Sequence, residues 1–153
     1  MNVPDGIEIL LVEDNPADAE LALHALRKSK MTSKIHLLTD GEQALDFLLC
    51  RNAFSTRPLD DAPHLILLDL KLPKIDGLQV LQVLKQNDRT KAIPIVVLTT
   101  SKEERDMVNS YKLGVNSYIQ KPVNFDEFRD VVRQLGTYWL QMNSNPPKAA
   151  FIP

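Results

Sequence analysis

Leu65-Ile66-Leu67-Leu68-Asp69 is a run of four apolar residues that leads directly into a carboxylate. An apolar residue at every position is typical of a strand covered on both faces, as found inside parallel sheets. Ile9-Leu10-Leu11-Val12 and Ile95-Val96-Val97-Leu98 have the same character. We therefore predict a parallel sheet whose interior strands include these three runs.

Short apolar runs alternate with longer amphipathic ones along the whole chain. This alternation predicts five strands and five helices in an α/β fold with a parallel sheet, although it does not determine the strand order. The strands are predicted at residues 7–12, 34–39, 64–68, 93–98 and 117–120.

Helix starts carry capping signals. Asn15-Pro16 combines a cap residue with a proline at the first helical position. Val123 is expected to pack on Phe128 as a hydrophobic staple, and the last helix is predicted to end at about Met142. Three other starts resemble capping boxes: Asp40 with Gln43, Ser101 with Glu104, and Asn124 with Glu127.

Composition is that of one globular domain. The chain has 153 residues, of which 44% are hydrophobic and 25% charged, enough to bury a core without disulfides. A net charge of −2 gives no electrostatic reason to expect nucleic acid or an anionic membrane as a partner. With Cys50 as the single cysteine, and neither a signal peptide nor a membrane-spanning run, we predict a soluble cytoplasmic protein.

Two segments stand apart from the alternating pattern. Arg51 to Ala62 is a polar loop, and Asn143 to Pro153 is a proline-rich tail. We interpret both as flexible surface. The tail is too short for a DNA-binding module, so we expect no separate output domain.

Chemically useful side chains follow four of the predicted strands. The first strand ends in Glu13-Asp14, the third in Asp69 and the fourth in Thr99, and Lys121 comes just after the fifth. Ligands of parallel α/β sheets bind at this carboxyl edge. Carboxylates suit Mg²⁺, an aspartate can serve as a nucleophile, and a hydroxyl and an ammonium can neutralise phosphoryl oxygens. Each residue alone is compatible with a turn or a solvated charge, but the set indicates phosphoryl transfer.

Four motifs resemble those of two-component receiver domains. In chain order they are Leu11-Val12-Glu13-Asp14-Asn15, Leu67 to Pro73 with Asp76-Gly77, Val97-Leu98-Thr99-Thr100-Ser101, and Tyr118-Ile119-Gln120-Lys121-Pro122. The resemblance implies a CheY-like, flavodoxin-like fold: a single doubly wound five-stranded parallel sheet in one receiver domain. Its core is expected at about residues 7–142, followed by the tail at 143–153.

The resemblance also implies roles for individual residues. Asp69 would be the phosphoacceptor, Pro122 would follow a cis bond, and Gly77 would have a structural role. The implied Mg²⁺ ligands are Asp14, Asp69, the backbone carbonyl of Lys71 and, through water, Glu13. The implied phosphate-binding and switch residues are Thr99, Lys121 and Tyr118. Lys71 and Ser101 would border the path of the water that removes the phosphoryl group.

A narrower similarity is to the small response regulators of cyanobacterial phytochromes, based on the 51–62 loop, Thr99-Thr100-Ser101 and the extended last helix. It implies a phytochrome-type histidine kinase as phosphodonor, and a homodimer. Apolar residues late in the chain favour such a dimer, although scattered surface residues and a disordered tail are the alternative. These residues are Val131, Tyr138, Met142 and Phe151-Ile152.

Two other functions fit less well. A phosphohydrolase of the haloacid-dehalogenase type needs a second aspartate two residues after the nucleophile, where this chain has Lys71. A nucleotide-binding module needs glycines after the first strand, where this chain has Glu13-Asp14-Asn15-Pro16. We therefore predict a phosphoacceptor signalling protein that catalyses only its own phosphotransfer and autodephosphorylation.

Overall fold

Five parallel strands form one sheet in the computed structural model, which describes residues 8–28, 34–58 and 60–152. The strands are β1 (Ile9–Val12), β2 (Ile35–Leu38), β3 (Leu65–Leu68), β4 (Ile95–Thr99) and β5 (Ser117–Gln120). Their order is β2-β1-β3-β4-β5. The predicted strands are confirmed, except that Ile7 lies outside the described residues.

Helices cover both faces of the sheet. They are α1 (Pro16–Lys28), α2 (Gly41–Leu48), α3 (Gly77–Gln86), α4 (Glu104–Lys112) and α5 (Phe125–Thr137). A π-helical turn, Tyr138–Met142, continues α5 to the predicted end. Residues from α1 and α5 pack on one face of the sheet, and residues from α2 and α3 pack on the other. This is the doubly wound, flavodoxin-like architecture that the motifs implied.

Backbone hydrogen bonds continue the strand pairing beyond the strand ends and so fix the residues that follow. The Asp69 amide donates to the Val12 carbonyl (3.1 Å), and the Lys121 amide donates to the Thr99 carbonyl (2.8 Å). Because β1, β3 and β4 are buried along their whole length, these ends form a rigid edge. The side chains that follow them are therefore held at a common place.

Several predicted caps are present. The Asp40 carboxylate accepts from the Gln43 amide (2.7 Å), although the Gln43 side chain turns to the Thr39 amide, so only half of that box forms. Asn15 accepts from the amide of Asp18 (3.0 Å) at the start of α1. At the start of α5, Asn124 accepts from the amides of Asp126 and Glu127.

Two other capping predictions are wrong. Helix α4 starts after Glu103, whose amide donates to the Ser101 hydroxyl, so Ser101 does not form a box with Glu104. The Ser101 hydroxyl instead donates to the Asp106 carboxylate (2.6 Å), which is the stronger acceptor because it is charged. Val123 is 95% exposed and does not staple to Phe128, which is buried in the core.

The described part of the 51–62 loop is anchored to the core through Phe54 and Arg57, so the interpretation of this loop as flexible surface is wrong. A 3₁₀ turn at Asn52–Phe54 buries Phe54 edge-on against Phe47, with ring centroids 5.1 Å apart. The Arg57 guanidinium lies 3.8 Å from the centre of the Phe47 ring and donates to the carbonyls of Phe47 and Asp61. One aromatic residue and one arginine therefore anchor an otherwise polar segment.

The tail is also anchored, again contrary to the prediction. A 3₁₀ turn at Lys148–Phe151 places Phe151, 8% exposed, in the same core cluster as Phe54. Burial of a phenylalanine side chain stabilises this arrangement, because apolar area is removed from water. Phe151 is therefore unavailable for the exposed dimer surface that we expected, whereas Ile152 is exposed.

Candidate functional site

Asp69 is buried at the carboxyl edge of the sheet. The amide of Lys71 donates to its Oδ1 (3.2 Å), which sets the orientation of the carboxylate. Gly77 lies against the backbone just after β3: a Cβ at this position would come within 2.3 Å of the Asp69 carbonyl oxygen. The structural role predicted for Gly77 therefore has a steric basis, since a larger residue would displace Asp69.

Two buried donors converge on the Asp69 carboxylate. The Thr99 hydroxyl donates to Oδ1 (2.9 Å), and the Lys121 ammonium donates to Oδ2 (2.9 Å). Thr99 ends β4 and Lys121 follows β5, so both reach Asp69 because these strands lie successively beside β3. The sequence-based prediction that these three side chains share one pocket agrees with this geometry.

Lys121 has two further carboxylate partners. Its Nζ lies 2.5 Å from Glu13 Oε1 and 2.9 Å from Asp18 Oδ2. The Asp18 contact was missed by the sequence analysis. Its signal was an acidic residue four positions after Asp14, in the first turn of the helix that follows β1.

The residues present fit a divalent cation. Glu13, Asp14 and Asp69 each offer a carboxylate oxygen, and these oxygens lie within 4.8 Å of one another. Lys121 supplies one positive charge near these carboxylates and Asp18, which leaves excess negative charge. A hard cation bound by carboxylate oxygens, such as Mg²⁺ or Mn²⁺, is suited to that excess.

Burial and Lys121 set the protonation of the pocket. Burial raises the pKa of Glu13 to about 7, although the hydrogen bond from Lys121 opposes this rise. Burial acts in the same direction on Asp69, but there the hydrogen bond and charge of Lys121 prevail and lower its pKa below the ordinary 3.8. Burial disfavours the Lys121 ammonium, but its hydrogen bonds to carboxylates raise the Lys121 pKa overall. Asp69 is therefore ionised, as a nucleophile must be.

Tyr118 is connected to the pocket through Ser101. The half-buried Tyr118 hydroxyl donates to the Ser101 carbonyl (3.1 Å), and the Ser101 amide donates to the Thr99 hydroxyl (3.3 Å). Burial raises the pKa of Tyr118, so its hydroxyl stays protonated and able to donate. Ser101 also binds Asp106 of α4, and so it links the Thr99 hydroxyl to both an aromatic side chain and a helix.

The Lys121–Pro122 peptide bond is trans, so the cis bond predicted at Pro122 is wrong. An X–Pro bond favours trans by about 0.5–1 kcal/mol. The preferred isomer already brings Lys121 within hydrogen-bonding distance of Asp69.

Residues 9–133 match the response regulator receiver domain family. The chain belongs to this family. Receiver domains are signalling phosphoacceptors, which decides against the phosphohydrolase and nucleotide-binding alternatives. They bind Mg²⁺ or Mn²⁺ at an acidic pocket, and Glu13, Asp14 and Asp69 form such a pocket here.

Relatives of this chain include regulators from two different organisms. Response regulator Rcp1 of Synechocystis sp. is 42% identical over 138 residues, which is 90% of this chain and 92% of Rcp1. The probable methanogenesis regulatory protein FilR2 of Methanothrix harundinacea is 42% identical over 149 residues, which is 97% of this chain and 94% of FilR2.

Solved structures agree with the sequence relatives. The Mn²⁺-bound form of Rcp1 has a TM-score of 0.86 at 41% identity, covering 94% of this chain and all of that one. The phosphorylated cyanobacterial phytochrome response regulator RcpA has a TM-score of 0.86 at 38% identity, covering 92% of this chain and 98% of that one. Within the described residues of this receiver domain, no helix has the length and apolar character needed to cross a membrane.

Proposed function

We propose that this receiver domain accepts a phosphoryl group on Asp69 from a histidine kinase and signals through the resulting conformational change. The observation that carries the proposal is the convergence of Thr99 and Lys121 on the two oxygens of Asp69, each at 2.9 Å. These donors are already directed to the place where a phosphoryl group would bring negative charge.

In the transfer, an Asp69 oxygen forms a bond to phosphorus as the P–N bond of the donor phosphohistidine breaks. The imidazole nitrogen keeps the electron pair of that bond. Thr99 and Lys121 then donate to phosphoryl oxygens. Mg²⁺, held by Asp14, Asp69, the Lys71 carbonyl and Glu13 through water, would supply charge neutralisation when bound.

The conformational response would begin at Thr99. A shift of its hydroxyl toward the phosphoryl group disturbs its contact with the Ser101 amide, and Ser101 in turn contacts Tyr118 and Asp106. Tyr118 thereby acts as the switch residue, and α4 as the element that responds. Met107, Val108 and Tyr111 expose apolar surface on α4, where a partner can sense the change.

We propose a phytochrome-type histidine kinase as the donor, because Rcp1 and RcpA resemble this chain over nearly its full length. RcpA is itself described as a phytochrome response regulator. FilR2, a probable methanogenesis regulatory protein, has the same 42% identity to this chain as Rcp1. Sequence identity alone therefore does not identify the donor, and a direct test is needed. That test is phosphotransfer from a phosphorylated phytochrome kinase, compared with an unrelated histidine kinase. Equal rates from both would refute the assignment. We propose neither nucleic acid nor membrane as a partner.

Intact mass spectrometry tests the core of the proposal. The protein is incubated with acetyl phosphate and MgCl₂, and we expect the mass of one added phosphoryl group. Asp69→Asn is expected to abolish the addition, and chelation of Mg²⁺ to slow it strongly. Asp130→Asn, at an exposed site on α5, is the matched control and retains it. Undiminished uptake by Asp69→Asn would refute the proposal. Loss of the adduct over time reports the autodephosphorylation that Lys71 and Ser101 border.

We also propose a homodimer that uses Tyr138 and Met142, which are 48% and 70% exposed. Val131 is half-buried against the core and contributes less. Truncation at Asn143 is a poor test because it would also remove the buried Phe151. Sedimentation of Met142→Glu, expected to be monomeric, against a dimeric wild type avoids that problem. A monomeric wild type would contradict the proposal.

A further inference from the structure

All three N–H groups of the Lys121 ammonium have a carboxylate within reach. The partners are Glu13 Oε1 at 2.5 Å, Asp18 Oδ2 at 2.9 Å and Asp69 Oδ2 at 2.9 Å. Glu13 and Asp69 also belong to the acidic cluster that can hold a cation, whereas Asp18 does not. Of the three partners, Asp18 is thus the one that contacts Lys121 without also belonging to the cation cluster.

Asp18 approaches Lys121 from a fixed position. It lies in the first turn of α1, where its own amide is bound by the Asn15 side chain (3.0 Å). Its side chain is 23% exposed, whereas that of Lys121 is 4% exposed. Asp18 therefore lies at the rim of the pocket and holds an ammonium that lies deeper.

We infer that Asp18 is a positioning residue that holds the Lys121 ammonium in place while Asp69 changes from a carboxylate to an acyl phosphate. This role presupposes the phosphorylation of Asp69 proposed above. During the transfer, one oxygen of Asp69 forms a bond to phosphorus. A bound cation also attracts the Glu13 carboxylate, which helps to hold it. The contact with Asp18 is the one that neither event uses.

The reaction with acetyl phosphate makes the role explicit. An Asp69 carboxylate oxygen forms a bond to phosphorus, the bond between phosphorus and the acetate oxygen breaks, and acetate leaves with the electron pair. No proton is transferred, so Lys121 stays an ammonium throughout. Its contribution depends on where it is held, and a misplaced ammonium stabilises the transferring phosphoryl group less.

The alternative is that Asp18 acts only on the helix. An acidic residue in the first turn of any helix stabilises that helix, because its negative charge interacts favourably with the positive end of the helix dipole. Asp126, 81% exposed in the first turn of α5, has that effect without any contact to the pocket. Asp126→Asn is therefore the matched control, because it removes the same charge from the same kind of helix position.

The test measures the rate of phosphorylation by acetyl phosphate at saturating Mg²⁺, using intact mass spectrometry. We expect Asp18→Asn to slow the reaction by about tenfold, since a hydrogen bond between charged groups is lost. Asp18→Glu, which keeps the charge, is expected to recover most of the rate. Asp126→Asn is expected to match wild type. The Mg²⁺ concentration for half-maximal rate is expected to change little in Asp18→Asn, because Asp18 is outside the cation cluster.

Two results would overturn the inference while leaving the proposed function intact. One is a wild-type rate in Asp18→Asn. The other is an equal loss of rate in Asp18→Asn and Asp18→Glu, which would indicate local structure instead of charge. Thermal unfolding of each variant checks that the fold is retained. If wild type itself takes up no phosphate, the proposed function fails and this role of Asp18 fails with it.

Discussion

Raising the pH is expected to destabilise the cation-free protein, and Glu13 is the residue responsible. Burial raises the pKa of Glu13 from its ordinary 4.5 to about 7 in the folded protein. Between these two values the folded state binds more protons than the unfolded state. The free energy of unfolding therefore falls as the pH rises through this window.

The difference between the two Glu13 pKa values corresponds to about 3 kcal/mol, at 1.36 kcal/mol for each pKa unit. Solvent screening does not reduce this free energy appreciably, because the Glu13 side chain is only 4% exposed. Asp69 and Lys121 do not change the slope of stability against pH in this window. The Asp69 pKa is lowered and the Lys121 pKa is raised, so both groups titrate outside it. His36 does contribute in this window. Burial lowers its pKa from 6.5, so its contribution to the free energy of unfolding increases as the pH rises, opposite to that of Glu13.

Urea unfolding in the presence of EDTA, at several pH values from about 5 to about 8, measures the effect. The variant Glu13→Gln keeps the shape of the side chain but does not titrate, so subtracting its profile removes the contribution of His36. The expected difference is a loss of about 3 kcal/mol in wild type relative to the variant as the pH rises. Parallel profiles for the two proteins would refute the assignment to Glu13.

Three further predictions concern packing around the site and the tail. Phe151→Ala is expected to lower the free energy of unfolding by about 3 kcal/mol, and Ile152→Ala by less than about 0.5 kcal/mol, both measured by urea unfolding; equal losses would contradict the packing described for the tail. Gly77→Ala is expected to cost at least about 2 kcal/mol and to slow phosphorylation, because the new Cβ would collide with the Asp69 carbonyl; unchanged stability and rate would contradict this. Tyr118→Phe is expected to cost about 1 kcal/mol but to leave the phosphorylation rate within about twofold of wild type, because the hydroxyl binds Ser101 and not Asp69; a large loss of rate would place Tyr118 in the transfer step.

The interior strands could be predicted because burial on both faces leaves a direct mark on the sequence. Leu65–Leu68 is apolar at every position and is buried at every position. The strand order leaves no such mark, since it depends on pairing between segments far apart in the chain. Convergence of Asp69, Thr99 and Lys121 was nevertheless predictable, because the ends of parallel strands meet at one edge whatever the order.

The missed features are single side chains without periodicity. Asp18 contacts Lys121, 103 positions away. Its place in the first turn of α1 marks it as an acidic residue near the site, but nothing in the sequence identifies Lys121 as its partner. Phe54 and Phe151 are isolated aromatics in polar or proline-rich segments, so no repeat indicated that they would be buried. The cis bond was predicted from the resemblance alone, and the structure has trans at Pro122.

The same carboxylates that weaken the cation-free fold would give a bound cation its affinity. Glu13 is destabilising when ionised because it is buried near Asp69, and part of that cost is relieved when a cation neutralises the pair. At about pH 7 and above, Mg²⁺ is therefore expected to restore most of the stability that the wild type loses as the pH rises from 4.5 to about 7. Mg²⁺ is also expected to bind more weakly as the pH falls. Glu13→Gln is expected to be the more stable protein without Mg²⁺ and to gain less from Mg²⁺. If Mg²⁺ stabilised both proteins equally, Glu13 would have no part in holding the cation, and the rise in its pKa would reflect burial alone.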